Sequence, residues 1–244
     1  MSIRRSVDAY RCHPKIIQFC NKQFYDNALI PLTVDSGEAS LSLVITAKGN
    51  HTRNFSNLRE LESLEGHYWD EESSRGYIAP YNAQVNLAEK VLPADFVKST
   101  VHKFQGRECD EIVFSTVLDK KRSSQHSRNI AFVDNPELVN VAVSRARNKF
   151  TLVTGNDVFE HHAGHIAALI RYIKYYVDDG EIFESPVISA FDLLYSEYDK
   201  SLERLNSRLN SNDSHFKSEQ IVACLLRDIL SQDSYRSMMF HSQI

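Results

Sequence analysis

The feature that most constrains the fold is a regular alternation of apolar, strand-like runs with amphipathic segments between Tyr77 and Gly155. The pattern predicts strands at residues 77–80, 96–100, 112–117 and 150–154, helices at 83–91 and 136–145, and a short helical turn leading into Gln105-Gly106. Strands that alternate with helices form parallel crossovers. The sequence therefore predicts an α/β fold, a parallel sheet with helices on both faces, with functional loops at the carboxyl ends of the strands.

Regular elements are also predicted on either side of this region. The spacing predicts a helix at 14–24, a strand at 41–46 and a short helix near 57–64. Helical periodicity follows at 166–177 and 191–209 with no strand between them, and 206–214 is polar enough for a linker. A last amphipathic helix is predicted at 218–230, followed by a strand at 235–244.

Composition sets only broad limits on function. The chain has 244 residues, 42% of them hydrophobic, and a net charge of −4, so it can bury a core and does not carry the excess of basic residues typical of many nucleic-acid binders. Four scattered cysteines without a CxxC pair argue against a zinc module or a disulfide framework. The basic N-terminus lacks an apolar signal segment, and we expect a cytoplasmic protein.

Four short motifs carry the functional information. They are Tyr10-Arg11-Cys12-His13-Pro14 with Phe24-Tyr25 and Leu29 behind it, Ala79-Pro80-Tyr81-Asn82-Ala83-Gln84, Thr100 to Glu108, and Asn140 to Arg147. In this order they resemble the second RecA-like domain of superfamily 1 helicases, in the five-prime-to-three-prime branch that includes the nonsense-mediated-decay helicase. The resemblance covers roughly residues 7–156, where Cys12 stands at the family's Met position and Ala9 at its Gln position. It implies a RecA-like parallel sheet followed by a helical C-terminal extension.

The resemblance also implies roles for individual residues. Arg11 and Arg145 would be catalytic arginines directed at the γ-phosphate of ATP. The nucleotide-binding set would be Tyr10 against the base, Glu108 at the sugar, and Gln105 with Gly106 linking the nucleotide to strand binding. The nucleic-acid-binding set would be Tyr81, Thr100 and His102.

These residue types suit that chemistry. Arginine is always charged and offers a fork of donors to phosphate oxygens, and an arginine supplied across an interface accelerates phosphoryl transfer by about 10³ to 10⁵. Each residue also has an ordinary structural interpretation. Arg145 and Arg147 are predicted late in a helix, where cations are favoured by the helix dipole, and Arg147 is interpreted as structural. Gly106 could serve only as a turn residue.

The phosphate-binding loop of such a motor is not found in this sequence. None of the eight glycines begins a GxxxxGK[ST] motif, and Asp110-Glu111 precede an apolar run instead of following one, as a magnesium-binding acid pair would. We therefore expect the C-terminal half of a truncated or split ATP-dependent DNA or RNA helicase, inactive alone, that uses ATP and Mg²⁺ only with a P-loop domain from another chain. A non-enzymatic nucleic-acid-binding or scaffold module, and a subunit that completes an ATPase site in trans, remain alternatives.

The C-terminal third is predicted to hold two further units. Residues 1–158 form the RecA-like domain in this interpretation, 159–213 a helical extension with a linker, and 214–244 a helix and strand. The last unit faintly resembles the start of a PD-(D/E)XK nuclease, with Glu219 as its acid, although an ordinary capped helix fits equally well. His161, His162 and His165 have no acidic or thiolate partner at ligand spacing, so no metal site is predicted.

Overall fold

The central element of the fold is a six-stranded, all-parallel sheet, as the sequence predicts. The computed structural model describes residues 12–47, 51–65, 67, 69–119, 126–155, 158–159, 163–177 and 181–185. The strands are β1 (Leu41–Thr46), β2 (Arg75–Ala79), β3 (Phe96–Thr100), β4 (Cys109–Ser115), β5 (Ala146–Gly155) and β6 (Ile182–Glu184). Their order across the sheet is β3-β2-β4-β5-β1-β6, so β3 and β6 form its edges.

Helices cover both faces of the sheet. They are α1 (Pro14–Phe24), α2 (Leu58–Glu62), α3 (Asn82–Val91), α4 (Val101–Phe104), α5 (His126–Val133), α6 (Pro136–Ser144) and α7 (His165–Tyr176). One apolar core joins α1, α4, α5, α6 and α7 to side chains such as Leu43, Phe114 and Leu152. A smaller core joins α2 and α3 to Tyr77, Val113 and Val153. Neighbouring residues of one strand serve different cores because side chains alternate across a strand.

Local sequence signals explain where the longer helices begin. Pro14 and Pro136 stand in the first turns of α1 and α6, where a missing N–H costs nothing. The Asn135 side chain accepts hydrogen bonds from the backbone N–H groups of Glu137 and Leu138. α7 is capped from the loop between α5 and α6, because the Asp134 carboxylate accepts a hydrogen bond of 2.7 Å from the Ile166 N–H.

Several predicted elements are confirmed and others need correction. The bounds predicted for α1, β1 and β3 agree with the structure. β4 begins at Cys109, three residues before the predicted start, so Asp110 and Glu111 lie inside the strand and not before it. The prediction of no strand between the helical segments at 166–177 and 191–209 is wrong, because Ile182–Glu184 pairs with β1. The sequence interpretation also lacked α5.

The remaining predictions for the C-terminal third lie outside the described residues, including the linker, the last helix and strand, and Glu219. Among the helices that are described, none has the length and apolar character needed to cross a membrane.

Candidate functional site

The turn that carries Arg145 lies at the amino end of β5. Helix α6 ends at Ser144, Arg145 is its C-cap, and β5 starts with the next residue. The Arg145 carbonyl accepts a hydrogen bond of 3.2 Å from the N–H of Cys109, the first residue of β4. Arg145 Nε is buried and has no hydrogen-bond partner among the described residues. A fixed backbone thus presents a guanidinium whose Nε–H is not used by the described residues.

The chain that follows Arg11 lies against this same turn. The Cys12 thiol, which is buried, donates to the carbonyl of Ser144 at 3.4 Å. The His13 N–H donates to the carbonyl of Arg147 at 2.6 Å. Tyr10 and Arg11 themselves lie outside the described residues. Two motifs more than 130 residues apart in sequence therefore meet at the residues that flank Arg145.

Glu108 and Arg147 pair with each other beside this turn. Arg147 Nε lies 3.2 Å from Glu108 Oε2, and its Nη1 lies 3.7 Å from Asp110 Oδ1. Arg147 belongs to β5 and not to the preceding helix, so its predicted place late in a helix is wrong. Its contacts agree with the structural role assigned to it. The role of Glu108 at a nucleotide sugar stays a prediction.

The motif from Thr100 to Glu108 joins the two ends of the sheet. It leaves the carboxyl end of β3, passes through α4 and enters the amino end of β4. Val101 and Phe104 are buried in the core, whereas Gln105 and Gly106 are exposed at the turn into β4. Gly106 has φ of +84°, which favours glycine. This segment is therefore a short, direct chain connection between the two ends of the sheet.

The residues predicted to contact nucleic acid lie at the carboxyl ends of β2 and β3. Thr100 caps α4 without a side-chain hydrogen bond to the helix, and His102 is exposed on α4. Tyr81 follows β2, and its ring centroid lies 5.0 Å from that of Phe55 and 5.3 Å from that of Phe132. Burial raises the pKa of the Tyr81 phenol to about 12, so the ring stays neutral at physiological pH.

Phe55 and Phe132 complete an aromatic surface that the sequence analysis missed. Their side chains are 48% and 43% exposed, which is unusual for rings that pack on a third ring. Phe55 and Asn54 have φ of +60° and +48° in a tight turn closed by the pairing of Arg53 with Ser56. A bulky residue at positive φ is strained, and such strain is concentrated at functional sites.

A buried polar network supports this end of the sheet from below. Glu60 is fully buried, accepts hydrogen bonds from Ser115 Oγ and, at 3.0 Å, from the Val117 N–H, and lies 3.2 Å from Thr116 Oγ1. Burial raises the pKa of this carboxyl to about 8, against the opposing effect of its hydrogen bonds. Glu60 is therefore largely protonated in the folded protein at neutral pH.

The same network holds Val117 in a rare backbone conformation. Val117 has φ of +68°, a value strongly disfavoured for a β-branched residue. Its carbonyl accepts hydrogen bonds from Thr52 Oγ1 and Asn57 Nδ2, at 2.6 and 3.2 Å. Gln84, from the second motif, bonds to both the N–H and the carbonyl of Asn57. The network thus fixes the direction in which the chain leaves β4.

Comparison with known proteins identifies this arrangement. Residues 56–157 match a family model described as an AAA domain. The chain is 35% identical over 94 residues to DNA polymerase alpha-associated DNA helicase A of Saccharomyces cerevisiae, an alignment that covers 36% of this chain and 13% of the relative. It is 27% identical over 192 residues to ATP-dependent helicase upf1 of Schizosaccharomyces pombe, which covers 65% and 20%. Residues 56–157 belong to the C-terminal RecA-like domain of upf1-like superfamily 1 helicases.

A third relative extends the comparison to nucleic-acid binding. The DNA-binding protein SMUBP-2 of Rattus norvegicus is 30% identical over 109 residues, which cover 43% of this chain and 10% of that protein. The alignments with these three relatives span between 10% and 20% of the relatives' own lengths. The helicase domain therefore corresponds to one part of much longer proteins.

The candidate residues of the helicase domain do not all lie at the end of the sheet where the sequence analysis expected them. Function was expected at the carboxyl ends of the strands, yet Arg145 and Glu108 lie at the amino ends of β5 and β4. Among the candidate residues that the structure describes, only Tyr81 and Thr100 lie at carboxyl ends, with His102 in the helix that follows β3. The candidate residues therefore divide into an amino-end group and a carboxyl-end group, joined by α4. His165 lies apart from both groups, where its Nδ1 is 2.9 Å from the Gln23 amide nitrogen.

Proposed function

We propose that this chain supplies the second RecA-like half of an ATP-dependent DNA or RNA helicase, with Arg11 and Arg145 contacting the γ-phosphate of ATP bound by a separate P-loop domain. The observation that carries the proposal is the meeting of the Cys12 segment with the Ser144–Arg147 turn. These contacts bring the chain next to Arg11 against the residues next to Arg145.

The amino-end group has the properties that such a role requires. Phosphoryl transfer depends on positioned positive charge, and a guanidinium held by a rigid backbone costs little to reorganise. Arg145 Nε lies buried without a partner among the described residues, and a phosphate oxygen would satisfy it. ATP with Mg²⁺ would supply the phosphoryl group and the leaving group, while the arginines would neutralise the charge that develops.

The carboxyl-end group fits a single strand of nucleic acid. Single-strand grooves combine phosphate donors with aromatic surfaces on which bases stack. Here the exposed His102 offers a donor, and the exposed rings of Phe55 and Phe132 flank the half-buried ring of Tyr81. Thr100 is 7% exposed at the start of the same helix. The α4 segment, which runs between the two groups, gives a physical route by which nucleotide state would alter strand binding.

The proposal is tested by reconstituting ATP hydrolysis. The chain would be mixed with a P-loop RecA-like domain supplied as a second polypeptide. Hydrolysis should require both polypeptides, and Arg145→Ala should lower kcat by about 10³-fold or more.

A matched control separates a catalytic effect from a general loss of charge. Arg128→Ala removes an exposed arginine from α5 and should leave kcat within about twofold of wild type. Equal turnover by the wild-type and Arg145→Ala mixtures would refute the proposed role of Arg145.

A further inference from the structure

Helices α1 and α7 form a basic, aromatic groove that none of the motifs uses. The two helices pack side by side, and a groove of about 440 Å³ opens between them, lined in part by Phe19, Lys22, Arg171, Tyr172 and Tyr175. It lies on a helical face of the sheet, whereas Tyr81 and Thr100 lie at strand ends. The groove is thus a separate surface from the predicted nucleic-acid contact.

The charge of this face differs from that of the whole chain. Helices α1 and α7 contain four basic residues, Lys15, Lys22, Arg171 and Lys174, and no Asp or Glu, although the chain carries a net charge of −4. Lys15 pairs with Asp35 at 3.3 Å. The other three cations form no ion pair with the residues that the structure describes. An anionic ligand in the groove would lie close to Lys22 and Arg171, which line it.

A row of aromatic rings runs along the groove into solvent. Ring centroids lie 5.4 Å apart for Phe19 and Tyr172, 4.6 Å for Tyr172 and Tyr176, and 5.0 Å for Tyr176 and Tyr175. The inner end is fixed, because the Tyr172 hydroxyl donates to the Lys15 carbonyl at 2.7 Å. The outer ring, Tyr175, is 81% exposed, so packing within the domain does not explain it.

We propose that the α1–α7 groove is a second binding site for single-stranded nucleic acid, in which a base stacks on Tyr175 and Lys22 and Arg171 neutralise the adjacent phosphates. Exposed aromatic rings combined with cations are the chemistry that binds single strands without sequence preference. An acidic peptide would satisfy the cations but would leave the ring of Tyr175 without a stacking partner. The site does not depend on the ATP-site role of Arg145.

Binding of a fluorescent oligothymidylate of about 20 nucleotides to the full chain, measured by anisotropy at several salt concentrations, tests the groove. In a Tyr81→Ala background, which weakens the carboxyl-end surface, Tyr175→Ala should raise Kd by about five- to 150-fold, and Tyr175→Phe should stay within about twofold of that background. The double variant Lys22→Gln, Arg171→Gln should reduce the slope of log K against log salt by about 1.4. Circular dichroism would verify that each variant is folded.

Two controls keep the result specific to the groove. Lys90→Gln, in the last turn of α3 and outside the groove, removes one exposed charge and should leave the slope unchanged. Tyr81→Ala tests the carboxyl-end surface independently. Because the carboxyl-end surface could bind the probe by itself, the deciding comparison is made in the Tyr81→Ala background: unchanged affinity on adding Tyr175→Ala there would overturn the groove proposal. A polyglutamate peptide that bound as tightly as the oligonucleotide would also overturn it.

Discussion

At the scale of single residues, Glu60 is the buried group with the clearest consequence for pH. Its carboxyl has a folded pKa of about 8 against an ordinary value of 4.5, because burial disfavours the charged form. The folded protein therefore binds more protons than the unfolded chain between these values. The contribution of Glu60 to stability is fully present below pH 4.5 and is lost as the pH rises through about 8.

Glu60→Gln should remove this pH dependence. A glutamine keeps the acceptor for Ser115 and Val117, and its amide can donate to Thr116 as a protonated carboxyl would. Urea denaturation at several pH values should show that the wild-type free energy of unfolding falls between pH 5 and 8, by up to about 1.4 kcal/mol per pH unit more than that of the variant. The exposed Glu65→Gln should behave as wild type; identical slopes for Glu60→Gln and wild type would contradict this assignment.

Candidate site residues that lie inside a sequence motif were predicted from the sequence. Candidate residues that come together only through folding were missed. Arg145, Thr100 and Tyr81 stand inside recognisable motifs, although their roles stay predictions. Phe55 and Phe132 lie far from Tyr81 in the chain, and their only local signal was an aromatic residue in a polar segment. Their meeting depends on long-range packing.

At the scale of elements, the bounds of helices and strands were predicted well where apolar residues recur with a clear period. They were predicted poorly where a segment is short or charged. α1, β1 and β3 were predicted with their observed bounds because apolar spacing and flanking Pro or Gly residues delimit them. The start of β4 was missed because Asp110 and Glu111 are acidic. In the sheet, Asp110 accepts hydrogen bonds from Ser74. β6 has three residues and depends on its pairing with β1, which no local pattern reveals.

A substitution at Gly76 tests how tightly α4 packs against the sheet. A Cβ at Gly76 would lie 2.6 Å from Ile112 Cδ1 and 2.8 Å from Phe104 Cζ, both of which are buried. Gly76→Ala should therefore lower the free energy of unfolding by about 1–3 kcal/mol through overpacking. The double variant with Ile112→Val makes room and should recover part of the loss. Denaturant titration measures both; unchanged stability in Gly76→Ala would show that α4 shifts freely.

At the scale of the whole molecule, the domain offers two separated groups of candidate residues and one connecting segment. In the proposed function, the amino-end group contacts the γ-phosphate of ATP, and the carboxyl-end group contacts a nucleic-acid strand. A motor needs both, because nucleotide state must change strand affinity. The short α4 crossover, anchored in the core by the buried Phe104 and Val101, is the element through which that coupling would pass.

The central claim is that Arg145 contacts the γ-phosphate of ATP. The most direct measurement is the preference for a nucleotide that carries a γ-phosphate over one that lacks it. In the assembly of this chain with a P-loop domain, the affinities for a non-hydrolysable ATP analogue and for ADP would be compared by calorimetry. We predict that Arg145→Ala weakens binding of the analogue about tenfold or more while ADP affinity stays within about twofold. Equal weakening of both nucleotides, or of neither, would contradict the account.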